Sequence, residues 1–144
     1  MDPTVENAIA HWELSVALLE RADPLWRMEA YRVARFLLDC AQADAIILAR
    51  AYEPRTLSQL SRAIASIGAN VAEGYSRRTG PDRSRFYSYA LGSARESVIW
   101  YRHVGGALRP DDLDLRMRLL AQQRRLLLGL LKSVQRKAAP PLER

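Results

Sequence analysis

The chain has 144 residues, of which 49% are apolar and 26% charged, which is typical of one soluble globular domain and excludes a disordered chain. A single cysteine, Cys40, excludes an intramolecular disulfide and a cysteine-based zinc site. Charged residues interrupt every long apolar stretch, and the first residues show no signal-peptide pattern. We therefore expect a cytoplasmic protein that has no contact with a membrane.

Positive charge is concentrated in the second part of the chain. Residues 1–53 carry nine acidic and five basic side chains, whereas residues 54–144 carry seven acidic and seventeen basic ones. All of the basic residues are arginines except Lys132 and Lys137. This distribution is typical of a protein that binds a polyanion, although charges that are merely solvated would give the same pattern.

The first two apolar-periodic segments begin with the same helix-start signal. Asp2, followed by a proline, precedes a segment over residues 4–22, and Asp23, also followed by a proline, precedes one that ends near Tyr52. An aspartate cap with proline at the first helical position is typical of a helix N-terminus. The apolar period is near 3.5 residues in both segments, which predicts two helices.

Three further segments have the same period. The third opens with the capping-box residues Thr56 and Gln59 and ends at Gly74, a residue type common after a helix. The fourth carries a stripe that starts at Phe86, and the fifth is capped by Asp111. No segment alternates with the period of a strand, so the fold class predicted is all-α.

Short connections make consecutive helices antiparallel neighbours. We predict one helical domain over residues 1–137, with an antiparallel up-down-up-down four-helix bundle over 24–137 and an additional N-terminal helix over 4–22. Residues 138–144 are predicted to be a polar tail.

Small residues recur on the third and fourth segments. Gly68 and Gly92 lie mid-helix, where glycine costs about 1 kcal/mol relative to alanine, so we expect these two helices to approach closely. In a hairpin that turns near residue 78, polar residues of the two helices face each other, which predicts a buried or half-buried polar network that fixes the register. An acid–base pair of Glu73 and Glu96 in a hydrolase or nuclease is the weaker alternative.

Two motifs carry a resemblance to a known family. Residues 66–74 read S-I-G-A-N-V-A-E-G and residues 90–96 read A-L-G-S-A-R-E. Over residues 28–135 the chain resembles the bacterial four-helix-bundle proteins first associated with intervening sequences in 23S rRNA genes. The residues assigned to this structural motif and its polar network are Arg62, Ser66, Asn70, Glu73, Gly74, Ser93 and Glu96.

The resemblance implies a homopentameric barrel with a central channel. The family is similar to the accessory variability proteins of diversity-generating retroelements, which are basic pentamers that bind nucleic acid and a reverse transcriptase. The function this implies is a non-enzymatic oligomer that binds RNA or DNA and serves as an accessory subunit of a reverse transcriptase. A protein–protein scaffold without a nucleic-acid role is the alternative.

The candidate nucleic-acid contacts form two basic clusters, which we place at different ends or faces of the bundle. Tyr75, Tyr87 and Tyr89 lie near the first cluster and are candidates for stacking on bases, although packing in the core or against another subunit is expected for two of the three. The basic residues are Arg77, Arg78, Arg83 and Arg85 after the third helix, and Arg124, Arg125, Lys132, Arg136 and Lys137 on the last helix.

Catalytic and metal signals are absent from the sequence. His11 and His103 lack the Glu-x-x-His pattern of di-iron bundles, and Cys40 is expected to be a core residue. There is no nucleophile elbow and no glycine-rich phosphate loop. We therefore predict no enzymatic activity, no cofactor, no metal and no small-molecule substrate.

Overall fold

The computed structural model describes residues 2–138, and this part of the chain is helical without a strand. The all-α prediction is therefore confirmed. The polar tail predicted over residues 138–144 lies outside the described residues, except for Ala138. The helices are α1 (Pro3–Glu13), α2 (Leu18–Arg21), α3 (Glu29–Leu48), α4 (Pro54–Ser76), α5 (Gly80–Val104) and α6 (Pro110–Ala138), with 3₁₀ turns at Pro24–Arg27 and Gly105–Ala107.

The N-terminal segment is two helices, not the single helix predicted over residues 4–22. The Asp2 carboxylate accepts a hydrogen bond from the Thr4 backbone N–H at 2.9 Å, as predicted for the cap, but α1 ends at Glu13. Residues 14–17 are not helical, and beyond them the Glu20 carboxylate of α2 lies 2.6 Å from Arg35 Nε of α3. As a result Leu19, predicted to lie on the buried stripe, is 88% exposed.

The second predicted helix begins later than expected. Asp23 does cap a helical turn, since its carboxylate accepts a hydrogen bond from the Leu25 N–H at 2.8 Å, but that turn is the 3₁₀ segment Pro24–Arg27. An extended residue, Met28, separates it from α3. The cap signal is thus present, and the helix it predicts is only one turn long.

Helix α4 starts before the predicted capping box and ends beyond Gly74. Its N-cap is Glu53, without a side-chain cap, so Thr56 lies inside the first turn. Gly74 is buried within the last turn, and a Cβ built there would lie 2.6 Å from Tyr87 Cε1. Glycine at this position permits close contact between α4 and α5 and does not end the helix.

Helices α3 to α6 share one apolar core. Helix α4 packs against α3 and α5, and α6 packs against α5 and α3. On α5 most of the predicted stripe is buried, and the buried members are Ala90, Ser97, Tyr101 and Val104. The prediction was wrong at Phe86 and Ser93, because the neighbouring residues Tyr87 and Ala94 are buried in their place. Among the described residues, no helix has the length and apolarity to cross a membrane.

A buried polar cluster connects three of these helices. Asp44 of α3 receives hydrogen bonds from Arg116 Nε at 2.9 Å, from Arg116 Nη2 at 3.0 Å and from the Tyr101 hydroxyl at 2.8 Å. Burial raises the pKa of Tyr101, and the Asp44 charge raises it further, so the phenol keeps its proton as the donor. The sequence analysis missed this cluster, although Asp44 lies between Ala41 and Leu48 on the buried face of α3.

Candidate nucleic-acid interface

Two arginines flank an aromatic ring at the loop between α4 and α5. The Arg77 guanidinium carbon lies 4.8 Å from the centre of the Phe86 ring, and that of Arg85 lies 5.2 Å from it. Arg77 also pairs with Glu73, and Arg85 Nη2 lies 3.4 Å from Asp82 Oδ1. Their charge is therefore partly neutralised, and the ring fixes their position.

The other two loop arginines have no carboxylate partner among the described residues. Arg83 Nε donates a hydrogen bond to the Arg77 carbonyl oxygen at 2.7 Å and so holds the loop closed onto α5. Arg78 is exposed at the tip of the loop. Both keep a full positive charge for an external anion.

The second half of α6 presents a basic face to solvent. Residues 119–137 include five basic side chains and no acidic one. Arg125, Lys132 and Arg136 are spaced by seven and four residues, which places them on one face of the helix, and all three are exposed. None of them forms an ion pair within residues 2–138, although Arg125 donates hydrogen bonds to Gln122 Oε1.

The loop cluster and the end of α6 lie at the same end of the molecule, contrary to the prediction that they occupy different ends or faces. A Cβ built at Gly80 would lie 3.3 Å from Val134 Cγ1, so the start of α5 contacts the end of α6. Between them is a cleft of about 590 Å³, which we call the loop-end cleft. It is lined by Tyr75, Gly80, Pro81, Arg83, Tyr87, Leu130, Ser133, Val134 and Lys137.

Arg124 lies apart from the other candidates, in a groove between α5 and α6. This groove, of about 380 Å³, also contains Arg95 and Arg102, with an apolar floor that includes Val98 and Met117. The sequence analysis missed Arg95 and Arg102. Their seven-residue spacing places them on one helix face. This spacing is the feature of the sequence from which the two arginines could have been predicted as a pair.

The predicted polar network between α4 and α5 does not form. The helices have nearly the predicted register, since Gly74 lies against Phe86 and Tyr87. The motif side chains nevertheless bond within their own helices, because a carbonyl one turn away is nearer than the facing helix. In α4, Ser66 Oγ donates to the Arg62 carbonyl and Asn70 Nδ2 donates to the Ser66 carbonyl. In α5, Ser97 Oγ donates to the Ser93 carbonyl and Trp100 Nε1 donates to the Glu96 carboxylate.

The two candidate acid–base residues do not form a site. Glu73 lies near the end of α4 and pairs with Arg77, whereas Glu96 lies sixteen residues into α5, about 24 Å along the helix axis. Both side chains are exposed. The hydrolase hypothesis therefore has no support in the geometry.

The three tyrosines near the loop differ in burial. Tyr87 is buried, whereas Tyr75 is 40% exposed and Tyr89 is 53% exposed. Burial raises the pKa of Tyr87, while the nearby Arg83 opposes the shift. Tyr87 therefore packs within the chain, and packing of a second tyrosine against another subunit stays a prediction.

The three side chains considered as a nucleophile or as metal ligands lie either in the core or on the exposed surface. Cys40 is buried as predicted, and burial raises the pKa of its thiol to about 12. His11 and His103 are exposed, and His103 lies against Tyr52 and Trp100. No group of three potential metal-ligating side chains was found within the described range.

Comparison with known proteins identifies one similarity. Residues 47–105 match the family model described as 23S rRNA-intervening sequence protein. The match covers the end of α3 and all of α4 and α5, and it includes both motifs. The resemblance noted in the sequence is confirmed over this range, which is shorter than residues 28–135. No curated protein matches the chain, and neither finding concerns retroelement proteins.

Proposed function

We propose that this chain is a nucleic-acid-binding subunit without enzymatic activity, of the 23S rRNA-intervening sequence protein type. The observation that carries the proposal is the arrangement of unpaired basic residues at one end of the molecule. Of the nine candidate side chains, only Arg77 and Arg85 have a carboxylate within 4 Å in the part of the chain described. The other seven have no carboxylate partner there, so their charge is available to an external polyanion.

The basic end is suited to phosphate contacts. Arg78 at the loop, Lys137 at the loop-end cleft, and Arg125, Lys132 and Arg136 on the outer face of α6 are all exposed. Guanidinium groups bind phosphate oxygens in a bidentate manner, and phosphate contacts of this kind are independent of base sequence. We therefore expect binding to both RNA and DNA with a steep dependence on salt.

The first test measures binding of a 20-base-pair RNA duplex and a DNA duplex across a range of salt concentrations. Each phosphate contact contributes about −0.9 to the slope of log affinity against log salt for duplex DNA. Replacing Arg125, Lys132 and Arg136 with glutamine should reduce that slope by roughly two to three. Absence of binding at low salt, or a flat slope, would overturn the proposal.

A matched variant controls for total charge. Arg50, Arg55 and Arg109 are exposed and lie at the opposite end, in or beside the turns that precede α4 and α6. Replacing these three with glutamine removes the same number of charges, and the salt slope should stay within about one of the original value. An equal loss in both triple variants would indicate a nonspecific effect of net charge.

Assembly forms the second part of the proposal. We propose that α3–α6 constitute a four-helix bundle that forms a homopentamer, as the resemblance implies, and that a reverse transcriptase is its protein partner. Exposed apolar side chains, among them Ile46, Ile47 and Ile99, are available for contacts between copies. Native mass spectrometry tests this directly, and a monomer at micromolar concentration would exclude the pentamer.

The scaffold alternative has one observation in its favour. Leu14, Leu18 and Leu19 at the α1–α2 connection are each more than three-quarters exposed, in a part of the chain that is acidic overall. Such a surface fits a protein partner better than a polyanion. If the Arg125, Lys132 and Arg136 variant still binds a protein partner while the wild type binds no nucleic acid, the scaffold role is the correct one.

A further inference from the structure

The loop-end cleft differs from the groove at Arg95, Arg102 and Arg124 because aromatic residues contribute to its lining. Its volume of about 590 Å³ is within the range of about 300–1,000 Å³ in which proteins hold small ligands. Three elements contribute to it: the end of α4, the first two turns of α5 and the end of α6. The outer face of α6, by contrast, offers positive charge without an enclosed site.

The aromatic wall comes from two tyrosines of different exposure. Tyr75 is 40% exposed and lines the cleft, so its ring is available to a ligand, whereas Tyr87 is buried beneath it. Burial raises the pKa of Tyr87, so this phenol keeps its proton even more firmly than an exposed tyrosine does. An accessible aromatic ring in a basic cleft is the feature by which proteins hold an unstacked base.

Two cations complete the cleft. Arg83 is anchored at Nε by the Arg77 carbonyl oxygen, which leaves its terminal nitrogens for a ligand, and Lys137 lies across the cleft on α6. Neither has a carboxylate partner within residues 2–138. The Ser133 hydroxyl, also in the lining, adds a hydrogen-bond donor and acceptor.

We propose that the loop-end cleft binds one unpaired nucleotide of a bound strand, with the base against Tyr75 and its phosphate between Arg83 and Lys137. This inference rests on the proposed function and adds a preference for single-stranded segments or ends. An acidic peptide would satisfy the two cations but would leave the exposed ring without a planar partner, so the nucleotide fits the lining better. A strand leaving the cleft would meet Arg78 and Arg136 nearby.

The test compares single-stranded and duplex binding in the full-length chain. The probes are a twelve-nucleotide oligoadenylate and an RNA duplex with the same number of phosphates. Tyr75→Ala should weaken oligoadenylate binding about tenfold, because stacking on an aromatic side chain is lost, and should leave duplex binding unchanged within twofold. Tyr75→Phe, which keeps the ring, should restore wild-type affinity.

Tyr89→Ala is the matched control, since Tyr89 is also an exposed tyrosine but does not line the cleft. It should change neither affinity. Lys137→Gln should reduce the salt slope for oligoadenylate by about 0.7, which corresponds to one single-strand phosphate. All variants are compared by melting temperature, and for Tyr75→Ala a value within a few degrees of wild type shows that folding is intact.

The outcomes separate this inference from the proposed function. If the wild type binds both probes and Tyr75→Ala weakens neither or weakens both equally, the nucleotide site is excluded while nucleic-acid binding stands. The nucleotide site would also be excluded if polyglutamate displaced the bound probe as effectively as oligoadenylate does. That result would favour an acidic protein segment as the ligand. If the wild type binds neither probe, both proposals fail.

Discussion

Gly74 and Gly92 lie in neighbouring helices but have different surroundings. A Cβ at Gly74 would lie 2.6 Å from Tyr87 Cε1 and 3.3 Å from Phe86 Cβ, whereas a Cβ at Gly92 meets no atom within 4 Å. Neither residue has a positive φ, so the backbone itself accepts alanine at both positions. The difference between them is therefore one of packing alone.

Alanine at these two positions should have opposite effects on stability. Gly74→Ala should lower the free energy of unfolding by about 1–3 kcal/mol, because the aromatic ring of Tyr87 has to shift, and this exceeds the gain of about 1 kcal/mol in helix propensity. Gly92→Ala should raise it by up to about 1 kcal/mol. Urea denaturation measures both, and a Gly74→Ala variant as stable as Gly92→Ala would contradict the close contact.

Polar contacts connect the helices at two places. The Asp44 carboxylate bonds α3 to α6 through Arg116 and to α5 through Tyr101. At a second point Trp12 Nε1 of α1 donates to Asp39 of α3 at 2.8 Å. The first contact is buried and the second only partly so, which makes the Asp44 cluster the more sensitive to substitution.

Removing one partner of the Asp44 cluster should destabilise the fold strongly. Asp44→Asn leaves the Arg116 guanidinium buried without a counter-charge and should cost about 3–5 kcal/mol of unfolding free energy. The double variant Asp44→Leu with Arg116→Met removes both charges and should recover a large part of that loss. Denaturation of Asp44→Leu, Arg116→Met and the double variant measures the coupling. Additive losses would show that the pair is not buried as the structure has it.

At the scale of the whole molecule, charge is segregated along the fold. The acidic first part of the chain forms α1 to α3, and the basic part forms α4 to α6, with its unpaired charges around the α4–α5 loop and the end of α6. Because the loop and the end of α6 coincide in space, two clusters that are 40 or more residues apart act as one surface. This coincidence produces the loop-end cleft.

Periodicity alone was sufficient for the helical class and for much of the core, including Val5, Ile9 and Trp12. On α5 it missed only Phe86 and Ser93, because the next residues, Tyr87 and Ala94, are also compatible with a buried face and are the ones that are buried. The break after Glu13 was not predicted because residues 14–22 contain no glycine or proline and continue the apolar period. The shared end of the two basic clusters, in contrast, follows from antiparallel connectivity and was deducible from the sequence.

Global stability should fall in alkaline solution because two buried groups resist ionisation. Burial raises the pKa of Cys40 from about 9 to about 12, and burial with the Asp44 charge raises that of Tyr101. Between pH 9 and pH 12 the unfolded chain releases the Cys40 proton and the folded chain keeps it, so the unfolded state binds fewer protons and becomes favoured. The free energy of unfolding should drop by roughly 1 kcal/mol per pH unit in this window, measured by urea denaturation at pH 7.5, 9 and 10. Cys40→Ala should show a shallower decline than wild type over the same pH values, and an identical decline in the two proteins would place the alkaline sensitivity elsewhere in the chain.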